Sequence, residues 1–301
     1  MKFGIALPHF GPAASAEAII EVAGAAEAAG FDSVWALDRL LWPLQATSKY
    51  PGNPQGKLPE VMQNSYDPLT VLTLAAAHTR RVRLGTSVLV AAYRSPLVVA
   101  KMGATLDVVS GGRLILGVGA GWSADEFHGV AQSYRERQGQ ADEFVRALHV
   151  LWTVEQPSFE GRYYRFPKSI FLPKPLQQPR PPIWVGGNTP RALRRAAELG
   201  DGWHPTSRTT PEALAQGARL LRKYARAAGR DPEQLALTLR WNAIPALGEK
   251  KNLAQMRERL RAYQGVGVSH VCFDLNIPRP RSLPVMLDTM ERLMQHVIQR
   301  P

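Results

Sequence analysis

Eight short apolar stretches recur along the 301-residue chain, and each is followed by a segment of helix-forming composition. Strands that alternate with helices in this way form a parallel sheet with helices on both faces. Eight such units in a chain of this length predict an α/β fold, a (β/α)8 TIM barrel that spans residues 1–301 as one domain. An open, doubly wound sheet is the alternative. The predicted strands lie at 3–7, 32–37, 81–90, 113–121, 181–187, 201–205, 235–244 and 269–275.

Two longer stretches interrupt the alternation. The first, at about 39–66, follows the second strand and is rich in proline, and the second, at about 155–182, follows the fourth strand and its helix. Irregular segments of this length in a compact protein are usually functional. The sequence therefore predicts insertions after strands 2 and 4, the second of them a hairpin or loop.

The chain carries 37 Lys and Arg against 25 Asp and Glu, a net charge of +12. A basic surface can bind nucleic acid, a membrane or an anionic small molecule. No nucleic-acid-binding motif accompanies the charge, and no apolar run approaches the roughly 20 residues of a membrane span. We therefore expect neither nucleic acid nor a membrane as a partner. The N-terminal sequence MKFGIALPHFG lacks the pattern of a signal peptide, which predicts a cytoplasmic protein.

Several enzyme classes are disfavoured because their motifs are missing from the sequence. Trp122 stands where the third glycine of a G-x-G-x-x-G motif belongs, so we do not expect nicotinamide binding of the Rossmann type. No serine lies in a G-x-S-x-G motif and no HExxH motif occurs. The single cysteine, Cys272, excludes a multi-cysteine metal site. We expect no metal.

Active sites of TIM barrels form at the carboxyl ends of the strands. Four groups of residues lie there, and one of them, Gly186-Gly187-Asn188-Thr189, precedes a helix. The free N–H groups and the dipole at the start of that helix favour a phosphate. The alternative for that group is an ordinary turn before a capped helix. The four groups are Asp38-Arg39, Thr86-Ser87-Val88, Gly119-Ala120-Gly121-Trp122 and Gly186-Gly187-Asn188-Thr189.

Glycines also alternate in the fourth strand. Gly117, Gly119 and Gly121 share one face of that strand and leave it bare, which predicts that a planar ring lies there. For Gly117, close packing inside the barrel is the preferred explanation. Trp42 and Trp122 lie near strand ends, and we expect them to wall an apolar pocket.

The sequence resembles the bacterial luciferase-like family of flavin and deazaflavin oxidoreductases along nearly its whole length. The family implies a TIM barrel with insertions, and either FMN or the deazaflavin coenzyme F-420 as the cofactor. The sequence is most similar to the branch that uses F-420. The resemblance is carried by GFDSVWALDR, VRLGTSVLVAAYRSPLVVAK, TLDVVSGGRLILGVGAGWSADEF and PPIWVGGNTPRALRRAAELGDGW.

This resemblance implies a role for each strand end. Asp38 would contact the pyrimidine edge of the deazaflavin, and the four residues Gly119, Ala120, Gly121 and Trp122 would flank its ring. Ser87 and Val88 would be joined by a cis peptide bond behind the ring. The four residues Gly186, Gly187, Asn188 and Thr189 would bind the phosphate.

Arg39 and Trp42 are the candidate catalytic residues. Many relatives have histidine at the position of Arg39. Arginine stays protonated near neutral pH, so it can orient or stabilise an anion but is a poor general base. Trp122 replaces a glutamate of the related sugar-phosphate dehydrogenases. We therefore do not expect a sugar-phosphate dehydrogenase of the histidine-dependent type.

The predicted function is transfer of a hydride between F-420 and a small organic substrate. Within the same family the alternative is an FMN-dependent two-component monooxygenase, served by a cofactor-reducing enzyme. Outside it the alternative is a non-catalytic carrier of the cofactor. Members of the family are often dimers, so we expect a homodimer.

Overall fold

The strands of this chain form one parallel sheet that closes on itself in the computed structural model, which describes residues 1–242, 244–277 and 281–298. Two short strands outside the barrel, β6 and β7, pair antiparallel. The strands are β1 (Lys2–Ala6), β2 (Ser33–Ala36), β3 (Arg83–Thr86), β4 (Leu89–Val90), β5 (Leu114–Gly119), β6 (Phe159–Glu160), β7 (Arg165–Phe166), β8 (Ile183–Gly186), β9 (Gly202–His204), β10 (Ala236–Trp241) and β11 (His270–Phe273).

Closure of the barrel confirms the TIM-barrel prediction and excludes the open sheet. The third barrel strand consists of β3 and β4, which are separated by Ser87 and Val88, and the peptide bond between these two residues is cis, as predicted. The ring closes where Leu84 and Gly85 of β3 pair with β5. The barrel therefore has eight strand positions, in the order β1, β2, β3/β4, β5, β8, β9, β10, β11.

Helices cover the outside of the barrel. No helix in the described part of the chain is both long and apolar enough to cross a membrane. A turn of π-helix, Leu293–Ile298, follows the last α-helix. The helices are α1 (Ala16–Ala28), α2 (Pro68–His78), α3 (Pro96–Val109), α4 (Ala124–Gly129), α5 (Arg137–Thr153), α6 (Pro190–Leu199), α7 (Pro211–Ala227), α8 (Lys250–Val266) and α9 (Leu283–Arg292).

Local sequence sets where many of these helices begin. In each of five helices the preceding residue accepts a hydrogen bond from a first-turn N–H, and such a cap contributes about 1 kcal/mol. Four of the five caps precede a proline, whose fixed φ suits the first helical position. The capping residues are Ser15, Asp67, Ser95, Thr189 and Thr210.

One aromatic layer fills the barrel interior. Trp35 of β2 is fully buried and stacks on Trp184 of β8 with 5.2 Å between ring centroids, although these strands lie three positions apart. The indole Nε1–H of Trp35 donates to Ser33 Oγ at 2.7 Å. A Cβ on Gly85 would lie 2.2 Å from the Trp35 ring, so this glycine makes room for it. Trp35 therefore closes the barrel below its carboxyl end.

Both predicted insertions are present as non-barrel segments. The first lacks regular structure apart from a 3-10 turn at Glu60–Gln63, and its apolar side chains pack with Phe10 of the β1 loop. The second contains the β6–β7 hairpin, as the sequence predicts. The first insertion covers part of the barrel mouth, because Tyr50 and Met62 line the cavity there.

The alternate glycines of β5 face the neighbouring strand. A Cβ on Gly117 would lie 2.0 Å from the carbonyl oxygen of Thr86, and one on Gly119 would lie 2.6 Å from Val88. At Gly117 this confirms the close packing that we preferred for that position. At Gly119 the prediction of bare space open to a flat ring is wrong, because Val88 fills that space. Val88 itself lines the cavity.

Replacing Gly117 with alanine tests this packing. Because the new methyl group meets backbone rather than a movable side chain, we expect Gly117→Ala to lower the free energy of unfolding by about 1–3 kcal/mol in urea titrations. Gly24→Ala is the matched control, since nothing lies within 4 Å of that position on α1. Equal stability of Gly117→Ala and the wild type would contradict the explanation.

Candidate active site

A cavity of about 340 Å³ opens at the carboxyl end of the barrel. Every predicted site residue except Trp42 and Asn188 lines it, so the structure brings together groups that are far apart in the sequence. The lining residues among those predicted are Asp38, Arg39, Ser87, Val88, Gly119, Ala120, Gly121, Trp122, Gly186, Gly187 and Thr189.

The two exceptions lie beside the cavity. Trp42 is half-buried and packs, together with Trp122, against the apolar cluster of the first insertion. Trp42 does not line the cavity itself, and its catalytic role stays a prediction. Asn188 binds a neighbouring loop instead, because its amide group donates to Thr209 Oγ1 at 2.7 Å and accepts from the N–H of Thr206 at 3.0 Å.

Asp38 is held by an arginine. Its carboxylate accepts two hydrogen bonds from Arg94, at 2.7 and 3.0 Å, and one from the N–H of Val90 at 2.9 Å. The side chain has no exposed surface, so the exposed part of Asp38 is its backbone. Arg94 also pairs with Asp67 at 2.6 Å. One guanidinium thus holds the residues that flank the first insertion, 39–66, on either side.

Arg39 is buried in the wall, with 5% of its surface exposed. Its Nη1 pairs with Glu126 at 2.9 Å, and its Cζ lies 4.9 Å from the ring centroid of Trp122. Nε and Nη2 of Arg39 are buried without a hydrogen-bond partner among the described residues. The Arg39 guanidinium is therefore paired through Nη1 and has Trp122 as an aromatic neighbour. Its other edge, formed by Nε and Nη2, is left without an acceptor in the described residues.

A chain of hydrogen bonds fixes the hydroxyl of Ser87. Thr238 Oγ1 donates to the carbonyl of Trp203, so it accepts from Nδ1–H of His204 at 2.7 Å. Nε2 of His204 then accepts from Ser87 Oγ at 2.8 Å. Burial, with a smaller contribution from Arg240, lowers the pKa of His204 to about 3 and keeps it neutral. Ser87 thus presents acceptor lone pairs to its other neighbours.

A cationic region surrounds the predicted phosphate turn. Gly187 has φ +113°, a conformation that favours glycine, and α6 begins three residues later. Arg137 and Arg195 also line the cavity, and Arg195 donates to Gln138, the chain neighbour of Arg137. Each has a buried nitrogen without a partner in the described part of the chain, Nε in Arg137 and Nη1 in Arg195. Helix N-termini and arginine donors both favour phosphate oxygens, so this region can hold one.

Sequence reasoning missed most of these supporting residues. Arg137, Arg195, Glu126 and Arg240 lie on helices or within a strand, and no local motif marks them. Arg195 lies in a basic stretch, residues 191–230, and a periodicity analysis of α6 could have placed it on the buried face. His204 ends β9 and could have been found as a polar residue at a strand end.

The family assignment follows from a comparison with known proteins. The family model described as luciferase-like monooxygenase matches residues 1–282. This chain belongs to that family. The assignment agrees with the closed barrel, with its two insertions and with the cavity at the carboxyl ends of the strands.

Three known relatives illustrate the range of the luciferase-like family. An F-420-dependent glucose-6-phosphate dehydrogenase of Nakamurella multipartita is 37% identical over 211 residues, 67% of this chain and 57% of that protein. An FMNH(2)-dependent dimethylsulfone monooxygenase of Pseudomonas putida is 33% identical over 169 residues, 55% of this chain and 46% of that protein. The crystal structure of monooxygenase RslO1 from Streptomyces bottropensis is 26% identical, with a TM-score of 0.82 and 99% of both chains covered.

Acidification tests the neutral state of His204. Its pKa is about 3 in the folded chain and 6.5 without burial, so between these pH values the unfolded chain binds a proton that the folded chain does not. Stability is therefore lost as the pH falls below 6.5. We expect wild type to lose about 2 kcal/mol more than His204→Gln between pH 7 and pH 5 in urea unfolding.

The control for this experiment is His78→Gln, because His78 is exposed on α2. This variant should keep the pH dependence of the wild type. The same pH dependence in His204→Gln and wild type would show that His204 does not supply the effect.

Proposed function

We propose that this chain is an F-420-dependent oxidoreductase that transfers a hydride between the deazaflavin and a small organic substrate. The observation that carries the proposal is the cationic end of the cavity, where Nε of Arg137 and Nη1 of Arg195 are buried without a hydrogen-bond partner among the described residues and the turn before α6 lines the same cavity. Burying an unsatisfied donor is costly, so such donors indicate an absent acceptor. A phosphate supplies oxygens for both.

The cavity suits a phosphate-bearing ring cofactor. Its volume of about 340 Å³ falls in the usual range for small-molecule sites, roughly 300–1,000 Å³. We assign the phosphate to Gly186, Gly187, Thr189 and the two arginines, Arg137 and Arg195. Asn188 supports that turn through the neighbouring loop.

The rest of the wall would hold the ring. When bound, F-420 supplies the two-electron chemistry of hydride transfer, and the protein supplies binding and orientation. Val88 and the residues Gly119, Ala120, Gly121 and Trp122 wall the space on one side. Ser87, fixed by His204, offers a hydrogen-bond acceptor, and Asp38 offers only backbone atoms.

The choice of F-420 over FMN rests on the relatives. The relative named for F-420 has the higher identity and matches the larger share of this chain. An FMN-dependent monooxygenase, supplied with reduced cofactor by a partner enzyme, is the second candidate. It is favoured by the dimethylsulfone monooxygenase and by the likeness to RslO1 along the whole chain.

Fluorescence titration with four compounds tests the cofactor and its phosphate site. We expect wild type to bind F-420 more tightly than FMN. We expect Arg137→Gln to weaken F-420 binding by about tenfold, the effect of losing roughly 1.4 kcal/mol, because one charged phosphate donor is removed. The phosphate-free deazaflavin should bind wild type and Arg137→Gln equally.

If FMN is the cofactor, FMN and its phosphate-free form, riboflavin, replace F-420 and the phosphate-free deazaflavin in this titration. Tight FMN binding with no F-420 binding would replace the proposal by the monooxygenase. Binding of F-420 with no oxidation or reduction by any donor or acceptor would favour the non-catalytic carrier instead. If Arg137→Gln failed to bind the phosphate-free deazaflavin, the variant would be misfolded rather than lacking only a phosphate contact.

We also propose that the enzyme is a cytoplasmic homodimer. Leu97 and Val98 on α3 are 43% and 50% exposed, and Ile170 of the second insertion, 79% exposed, lines the same apolar groove. Apolar surface that is grouped in this way is typical of contacts between proteins. A second copy of the chain would cover it.

Native mass spectrometry tests the dimer. We expect wild type at twice the monomer mass of 33.2 kDa, and Leu97→Glu mainly at the monomer mass, because a carboxylate would be buried in the contact. Leu44→Glu is the control, since Leu44 is 91% exposed on the first insertion. A Leu97→Glu variant that stays dimeric would place the contact elsewhere.

A further inference from the structure

We propose that this cavity recognises its substrate through a carboxylate bound to the guanidinium of Arg39, so that the substrates are organic carboxylates. The reaction that follows binding rests on the proposed function, whereas the binding itself does not. The proposal rests on the unsatisfied edge of Arg39, on the saturation of its acidic partner and on the apolar walls beside it.

The unsatisfied edge of Arg39 has the right shape for two oxygens. In a guanidinium the N–H bonds of Nε and Nη2 point to the same side, and this pair matches the two oxygens of a carboxylate. In Arg39 these are the two nitrogens for which the described residues offer no partner, while Nη1 pairs with Glu126. A single carboxylate would satisfy both donors at once.

Glu126 cannot turn to satisfy that edge without losing other bonds. Its Oε1 accepts from the N–H groups of Leu40 and Leu41 at 2.7 and 3.3 Å. Its Oε2 accepts from Arg39 and, at 2.8 Å, from the hydroxyl of Tyr93. Four donors therefore hold the carboxylate in place, and no described residue supplies an acceptor for the other edge of Arg39.

The surroundings of Arg39 suit the carbon skeleton of an organic acid. Trp122 lies over the face of the guanidinium, and the ring of Tyr50 meets Trp122 edge-on at 5.3 Å. Both rings and Met62 line the cavity. A cation–π contact uses the face of the guanidinium and leaves its N–H edges available. Since Nε and Nη2 are screened from solvent here, we expect the half-buried Trp122 ring to shift when the anion enters.

This site is separate from the proposed phosphate site. Arg39 follows β2, whereas Gly186 ends β8, which lies three strand positions away around the barrel. Arg137 and Arg195 belong to the phosphate end. A cofactor with its phosphate there and a substrate carboxylate at Arg39 would occupy the same cavity from two sides.

Calorimetry with matched acids and amides tests the proposal. The probes are benzoate, cyclohexanecarboxylate and hexanoate, each compared with its uncharged amide, on the full chain with and without F-420. We expect at least one acid to bind wild type about tenfold more tightly than its amide. Arg39→Lys keeps the charge but loses the paired donors, so it should lose most of this preference while its affinity for the amide stays the same.

Arg137→Gln is the reciprocal control. It should weaken the binding of F-420 without changing the preference for the acid over its amide. Because Arg39 is buried, Arg39→Met is made together with Glu126→Gln, and its fold is checked by circular dichroism; it should show no preference. If no acid binds wild type better than its amide, or if Arg39→Lys keeps the full preference, the proposal is wrong. These outcomes are read on the cofactor-free chain, so they are independent of a failure to bind F-420.

Discussion

The packing of Trp35 across the barrel interior determines where a ligand can bind. Its indole meets Trp184 from the far side of the ring of strands, and Gly85 has no side chain in its way. With this layer in place the barrel contains no channel at that level, and the open space lies above it at the carboxyl ends of the strands. The barrel is thus a closed platform, and the loops above it supply the walls of the cavity.

Charge is distributed unevenly over that cavity. Four arginines line it, and three of them have a carboxylate partner, namely Glu126 for Arg39, Asp142 for Arg195 and Asp274 for Arg240. Pairing keeps the cations stable in a buried setting, because an isolated buried charge is strongly disfavoured. Pairing also fixes the orientation of each guanidinium, and in Arg39 and Arg195 it leaves nitrogens without a partner among the described residues. Under the proposed function, such a site would select anions by the shape of the group as well as by its charge.

The sequence was sufficient to predict the strands, the insertions and the strand-end part of the cavity wall, because those features depend on local periodicity and on chain order. The glycine strip of β5 shows a limit of local reasoning. The sequence indicated bare space beside Gly119, whereas the structure fills it with Val88 from the adjacent strand. The partners of Arg39 and Asp38 were not predictable either. Glu126 and Arg94 reach them across 87 and 56 positions of sequence, and only the closed barrel makes them neighbours.

The placement of Arg94 has an evolutionary consequence. Asp38 and Asp67 flank the two ends of the first insertion, and the guanidinium of Arg94 forms an ion pair with each of them. These ion pairs hold the two ends of the insertion next to β2 and α2, independently of the exposed residues between them. Exposed residues of the covering segment can therefore change while its two ends stay fixed to the barrel. Under the proposed function, substrate preference can therefore change through substitutions confined to the first insertion.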